Sequence, residues 1–201
     1  MDTRYEENKR AESSSEQNWI EVRLQGKLPE RRSNHTAFIL KQKDNEYMYI
    51  HGGRDLKEGS ISTMWRVSLT GIRTLFQDNY HNVEWECVNT TGRGPGKISH
   101  HTVSILSQKE VLFYGGLKGE DNNADIFLFN SMTNAWSTVR MAEATSPDIL
   151  PRDDHSMCDL DDGGFLVFGG FVNGSRTNEL LQFRATSMSV TGDILCKNDL
   201  S

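Results

Sequence analysis

The sequence has no apolar run approaching the ~20 residues of a membrane-spanning helix, no CxxC pair, and only four prolines in 201 residues. Its three cysteines, Cys87, Cys158 and Cys196, are widely separated and odd in number. That pattern excludes both a zinc-ribbon site and a disulfide framework. The N-terminal MDTRYEENKRAESSSEQNW lacks the apolar stretch of an export signal, so the expected compartment is the cytoplasm, with the nucleus as the second choice. The sequons at Asn34, Asn89 and Asn173 are accordingly read as chance matches. Positive charge is also scarce. With 22 Lys and Arg against 28 Asp and Glu the net charge is −6, so the global basic surface of a nucleic-acid binder is missing. Long helical periodicity is absent as well.

What the chain does have is aromatic residues, glycine and repetition. Nine Phe, five Tyr and four Trp within a 36% hydrophobic composition are enough for a core. A glycine pair closes a strand-like run three times: YMYIHGGR at 47–54, VLFYGGLK at 111–118 and FLVFGGFV at 165–172. The pairs are Gly52-Gly53, Gly115-Gly116 and Gly169-Gly170. Upstream stand His35-Thr36, His101-Thr102 and His155-Ser156, and before those a proline with a basic residue: Pro29 with Arg32, Pro95 with Lys97, Pro151 with Arg152. Downstream come a polar stretch, a second apolar run and a tryptophan, Trp85 in the first unit and Trp136 in the second. Trp19 belongs to a further copy, because Trp19 to His35 and Trp85 to His101 are both sixteen residues.

Four short runs rich in aromatic and branched residues, separated by turn chemistry, predict four antiparallel strands per unit. Asp161-Asp162-Gly163-Gly164 reads as a hairpin turn. A period of about fifty residues marks a repeat architecture. The three glycine pairs in register, the Phe129 to Trp136 spacing and the Pro–basic–His lead-in closely resemble the kelch repeat. The resemblance implies an all-β fold of kelch-type β-propeller blades: about three four-stranded antiparallel blades, over roughly 29–88, 95–139 and 150–190, with a stray outer strand near 19–24.

Within that frame residues 1–17 are expected to be a disordered polar N-terminus, 18–190 the repeats and 191–201 an irregular tail. Val190 stands where the third unit should have its tryptophan, so that blade is expected to have a weak fourth strand or none and an under-packed edge. Trp85 and Trp136 are expected between blades. An insertion, TGIRTLFQDNYHN at 70–82, interrupts the first unit. Closed propellers use four to eight blades, so three predict a partial or open propeller. Self-association, or completion by another chain or a missing segment, is the expected consequence.

Catalytic readings find little support. TTGRGPGK at 90–97 lacks both the first glycine and the terminal Ser or Thr of a phosphate-binding loop. The acidic PRDDHSMCDLDDGG at 151–164 lacks the alternating ligands of a calcium loop, and no GxSxG elbow occurs. The reading is therefore a non-enzyme with no cofactor and no metal. Membrane and nucleic acid are not expected as partners. The resemblance implies a protein–protein interaction module, an adaptor or scaffold that binds a partner peptide or domain; the alternative is a propeller enzyme or small-ligand-binding kelch protein. Strand reversal places the loops 54–62, 117–123 and 171–177 on one face with 26–33, 89–99 and 141–153. That face carries the expected partner-binding residues Arg32, Arg54, Lys97, Arg152 and Arg176. Gly52, Gly53, Gly115, Gly116, Gly169, Gly170, His35, His101, His155, Trp19, Trp85 and Trp136 are the expected structural set.

Overall fold

A computed structural model describes residues 26–70, 72, 84–142, 149–186 and 189–196. The polar segment 1–17, the outer strand expected near 19–24 with Trp19, and nearly all of the insertion at 70–82 lie outside the described residues. Twelve strands form three blades. The first contains β1 (Thr36–Gln42), β2 (Asn45–His51), β3 (Met64–Ser68) and β4 (Glu86–Cys87), in that spatial order. The second contains β5 (Ser99–Ile105), β6 (Glu110–Lys118), β7 (Ile126–Asn130) and β8 (Ala135–Met141). The third contains β9 (Ser156–Asp159), β10 (Gly164–Phe168), β11 (Leu180–Ala185) and β12 (Ser189–Cys196). Every pairing within a blade is antiparallel. Besides these twelve strands and short two-residue strands in the loops, only Leu69, Thr70 and Ile72 have a regular conformation among the described residues, and it is helical.

Two-residue alternation decides which side chains meet the neighbouring blade. Along β1, Thr36, Phe38 and Leu40 are buried while Ala37 and Ile39 face out. The middle blade is covered on both sides, so Val111, Leu112, Phe113 and Tyr114 of β6 are all buried. Val111, Phe113, Phe127, Phe129 and Trp136 pack with Phe38, Leu40, Tyr49 and Met64 of the first blade. Leu112, Tyr114, Ile126, Leu128 and Val139 pack with Phe165, Val167, Leu181 and Phe183 of the third. Two cores result, one per blade boundary.

The third blade departs from the sequence reading. Its fourth strand, β12, is eight residues long and pairs with β11 from Leu180↔Cys196 to Ala185↔Val190. Arg140 and Met141 at the end of β8 also pair with Ser189 and Val190 in parallel. The tail expected to be irregular from residue 191 is thus strand as far as Cys196, and residues 197–201 lie outside the described residues. Val190 is fully buried in the second core, so the site is packed. The register, however, puts Gly192 rather than Val190 in the place of Trp136: Gly192 pairs with Phe183 as Trp136 pairs with Phe129, and the Phe183 ring, stacked on Phe165 with centroids 4.9 Å apart, lies where a side chain at 192 would start, a Cβ there being 2.6 Å from it.

A candidate interaction face and the joints that build it

The glycine pairs are the contact points between blades. Gly52, Gly115 and Gly169 have φ of 65°, 68° and 70°, and the glycines after them 93°, 91° and 96°. A side chain strains this backbone, and at the inner joints it would also collide. A Cβ on Gly52 would lie 2.5 Å from Ile98 O and 2.7 Å from His101 Cε1; on Gly115, 2.4 Å from Arg152 O and 2.5 Å from His155 Cε1. The space that a Cβ would fill is therefore occupied by the repeat histidine and lead-in carbonyl of the next blade. Main-chain bonds complete each joint. Gly53 N–H donates to Ile98 O and Gly116 N–H to Arg152 O, both at 2.8 Å. His100 N–H donates to Asn34 O at 2.9 Å and Asp154 N–H to His100 O at 3.2 Å. Asn34, His100 and Asp154 all have left-handed φ, of 53°, 60° and 51°.

The histidines at these joints are buried and neutral. The Nδ1 of His51 lies 3.3 Å from His101 Nε2, and His155 Nε2 lies 2.6 Å from Thr102 Oγ1. Burial, helped by the Arg32 charge, pushes His51 down to about 3; burial with Arg152 does the same for His155. His101 is pushed well below its ordinary value by burial and by the neighbouring histidines. His35 differs, being exposed.

The joints correct two assignments. Arg152, expected to face a partner, is fully buried: it donates to Gly169 O at 3.1 Å and to Glu179 Oε2 at 2.8 Å. Arg32 has a side chain only 4% exposed and donates to Gly52 O, Thr63 O, Thr63 Oγ1 and Glu30. Both guanidiniums tie the carbonyl of the first glycine to an acid, because a planar fork reaches two acceptors at once. The equivalent of these arginines, three residues before the repeat histidine, is Ile98. Lys97 is one place out of register and exposed; in the second blade Asn123 Nδ2 donates to Gly115 O instead, at 3.1 Å. Glu30, Thr63, Asn123 and Glu179 were not singled out from sequence, and their offsets from the glycine pairs differ too much from blade to blade to form a pattern.

Trp136 is buried, with its ring centroid 4.8 Å from Phe113, 5.0 Å from Phe129 and 5.3 Å from His51. The segment resembling a phosphate loop straps it: a Cβ on Gly94 would lie 2.8 Å from the indole. Trp85, expected between blades, is only half-buried, since no described blade precedes the first. The acidic run is likewise occupied in hairpin and joint contacts. Asp153 accepts from Asn122 Nδ2 at 2.7 Å, Asp159 from Ile105 N–H at 3.2 Å, and Asp162 from Gly164 N–H at 3.1 Å.

What stays on the rim is a row of hairpins. Arg54–Asp55 pairs with Gly59–Ser60, Lys118 and Leu117 with Asp121–Asn122, and Phe171–Val172 with Ser175–Arg176. Asn122 Nδ2 also donates to Phe171 O at 3.3 Å, and Ser33 and Arg54 exchange main-chain bonds, so hairpins and lead-ins lock into one surface. Arg31, Arg54, Lys97 and Arg176 are exposed there, Arg176 lying 5.1 Å over the Phe171 ring.

The KLHDC2/KLHL20/DRC7 Kelch-repeats domain matches residues 11–192. The chain is a kelch-repeat protein. Similar relatives include mouse "Kelch domain-containing protein 1", 24% identical over 181 residues, 86% of this chain and 40% of that protein. "Host cell factor homolog hcf-1" of Caenorhabditis elegans is 27% identical over 191 residues, 89% of this chain and 22% of the relative. This kelch chain thus spans less than half the length of either. Among solved structures, that of YjhT superposes with a TM-score of 0.60 at 14% identity, over 85% of this chain and 53% of that one. This likeness shows the propeller-type fold and corrects one expectation. The non-enzyme reading rested on missing catalytic motifs, and a propeller shared with YjhT is a scaffold that carries sites of more than one kind, so that reading no longer stands.

Proposed function

We propose that this kelch array is a protein-interaction module whose contact surface is the hairpin rim, with Arg54 and Arg176 presented to a carboxylate or phosphate of a partner peptide. The observation that carries this reading is a division of labour among the cations. Arg32 and Arg152 are consumed inside the blades, whereas Arg54 and Arg176 are exposed on the hairpins of the first and third blades, the second blade's hairpin standing between them and bonded to the third. Loops fixed on a rigid sheet scaffold are where binding resides, and the planar fork of Arg suits an oxyanion better than the point charge of Lys. Leu56, 96% exposed at the first hairpin tip, adds an apolar contact beside them. The relatives' membership of the same repeat family supports a protein as the partner.

The test is affinity capture with the wild-type chain and with an Arg54→Glu, Arg176→Glu variant. A partner retained by the first and lost from the second, with an unchanged thermal midpoint, supports the rim. Equal capture by both moves these arginines out of the contact.

A further inference from the structure

The hairpin tip of the third blade brings together two reactive groups that the fold leaves unused. Phe171↔Arg176 and Val172↔Ser175 form its short ladder, and Asn173 and Gly174 make the turn between them. Asn173 is exposed, with a left-handed φ of 50°, and Gly174 follows at 79°. Asn-Gly is the dipeptide that such a hairpin turn favours, and it occurs only here in the sequence. The Asn173 carboxamide makes no hydrogen bond among the described residues, and neither does the Gly174 main-chain N–H. A Cβ on Gly174 would meet nothing within 4 Å, so no neighbouring group crowds the turn. Other loop asparagines are held in place. Asn122 Nδ2 donates to Asp153 and to Phe171 O, Asn123 Nδ2 to Gly115 O and Asp125 O, and Asn130 Oδ1 accepts from the N–H groups of Met132 and Thr133.

We propose that Asn173-Gly174 is a self-modification site, with water as the co-reactant. The Gly174 main-chain nitrogen gives its proton to hydroxide and attacks Asn173 Cγ. The N–Cγ bond forms, the Cγ–Nδ2 bond breaks, and ammonia leaves after taking a proton from water. Water then adds to one of the two carbonyls of the resulting cyclic imide. Opening returns either aspartate or an isoaspartate whose main chain runs through the former side chain; nothing is oxidised or reduced. Ring closure requires the main chain at Asn173 to rotate out of the left-handed region. A ladder of two residue pairs at an exposed tip opens locally at little cost, and the glycine brings no Cβ to obstruct the attack. The product sets a carboxylate on the hairpin that carries Arg176, and isoaspartate also lengthens the main chain of a tight turn. If the rim reading holds, on which this consequence rests, the chain loses affinity for an anionic partner as it ages, because an acid of its own competes for the Arg176 guanidinium.

Ageing of the folded chain in mildly alkaline buffer, followed by peptide mapping with mass spectrometry and enzymatic methylation of isoaspartate, tests the site. The peptide spanning Asn173 is expected to convert from amide to acid before any other asparagine, and faster as hydroxide rises. Asn173→Gln cannot close the same ring, and Gly174→Ala sets a methyl group beside the attacking nitrogen. Both variants are expected to stay unconverted over the same period, with circular dichroism showing that they are folded. A folded wild type that stays intact while the urea-unfolded chain converts, or one that converts first at another asparagine, overturns the proposal. The consequence for the rim is read with Asn173→Asp in the affinity capture, where weaker retention of the partner than by wild type is expected. Equal retention by Asn173→Asp, with the partner still lost from the Arg54→Glu, Arg176→Glu variant, overturns that consequence and leaves the rim reading standing.

Discussion

Arg152 in a lead-in and Arg54 after a glycine pair show how far an arginine's role depends on its depth. Removing Arg152 would leave Glu179, itself 5% exposed, with its buried carboxylate deprived of the 2.8 Å partner. Breaking such a pair from one side costs about 3–5 kcal/mol. Urea unfolding of Arg152→Ala should show a loss of that size, and Arg54→Ala almost none. The glycine pairs allow a second comparison at this scale. Alanine at Gly169 carries the left-handed penalty, about 1–2 kcal/mol; alanine at Gly115 adds a collision with Arg152 O. Gly115→Ala should be clearly the less stable of the two, judged by chemical denaturation. The joint histidines also make stability depend on pH. His51 and His155 bind protons near pH 3 when folded but near their ordinary 6.5 when unfolded. The unfolded chain holds more protons between these values, so stability is full above about pH 6.5 and falls on acidification towards about 3. The urea midpoint should be lower at pH 4.5 than at pH 7.5, and His155→Gln should flatten the difference.

At the scale of strands, β8 and β12 occupy the same place in successive blades with different fillings. Trp136 closes the first core, and Trp136→Ala should cost roughly 3–5 kcal/mol, the range for emptying a large aromatic site; the test is equilibrium unfolding of the variant. Val190 closes the second core, so a carboxylate placed there by Val190→Asp would be buried without a partner, and loss of cooperative folding is the expected result by circular dichroism. The strands themselves were legible from sequence, because short runs rich in aromatic and branched residues, bounded by turn residues, leave few other readings. Three glycine pairs in register made the blades legible for the same reason. β12 was not legible: SVTGDILC contains a glycine and an aspartate and no aromatic, and its pairing depends on β11 and β8, which are close only in the folded chain. Arg152 was misread for a similar reason. Its acid lies 27 residues downstream, and no spacing in the other units points to it.

Across the whole molecule, the middle blade touches both neighbours while each neighbour touches only one. Adjacent residues of β6 serve different cores, Phe113 the first and Leu112 and Tyr114 the second. Loosening either outer blade therefore uncovers one side of β6 and weakens the hold of the remaining one. The chain should lose structure in one concerted step, although repeat proteins with weakly coupled units can come apart piecemeal. Amide exchange is the readout. The slowest protons should lie on β6 and β7, at a rate set by global opening, with β1 and β9 exchanging faster through local fraying. A central strand that answers to two cores makes the outer blades report on each other, so damage at the Trp136 joint should speed exchange at Phe183, in the next blade and the other core.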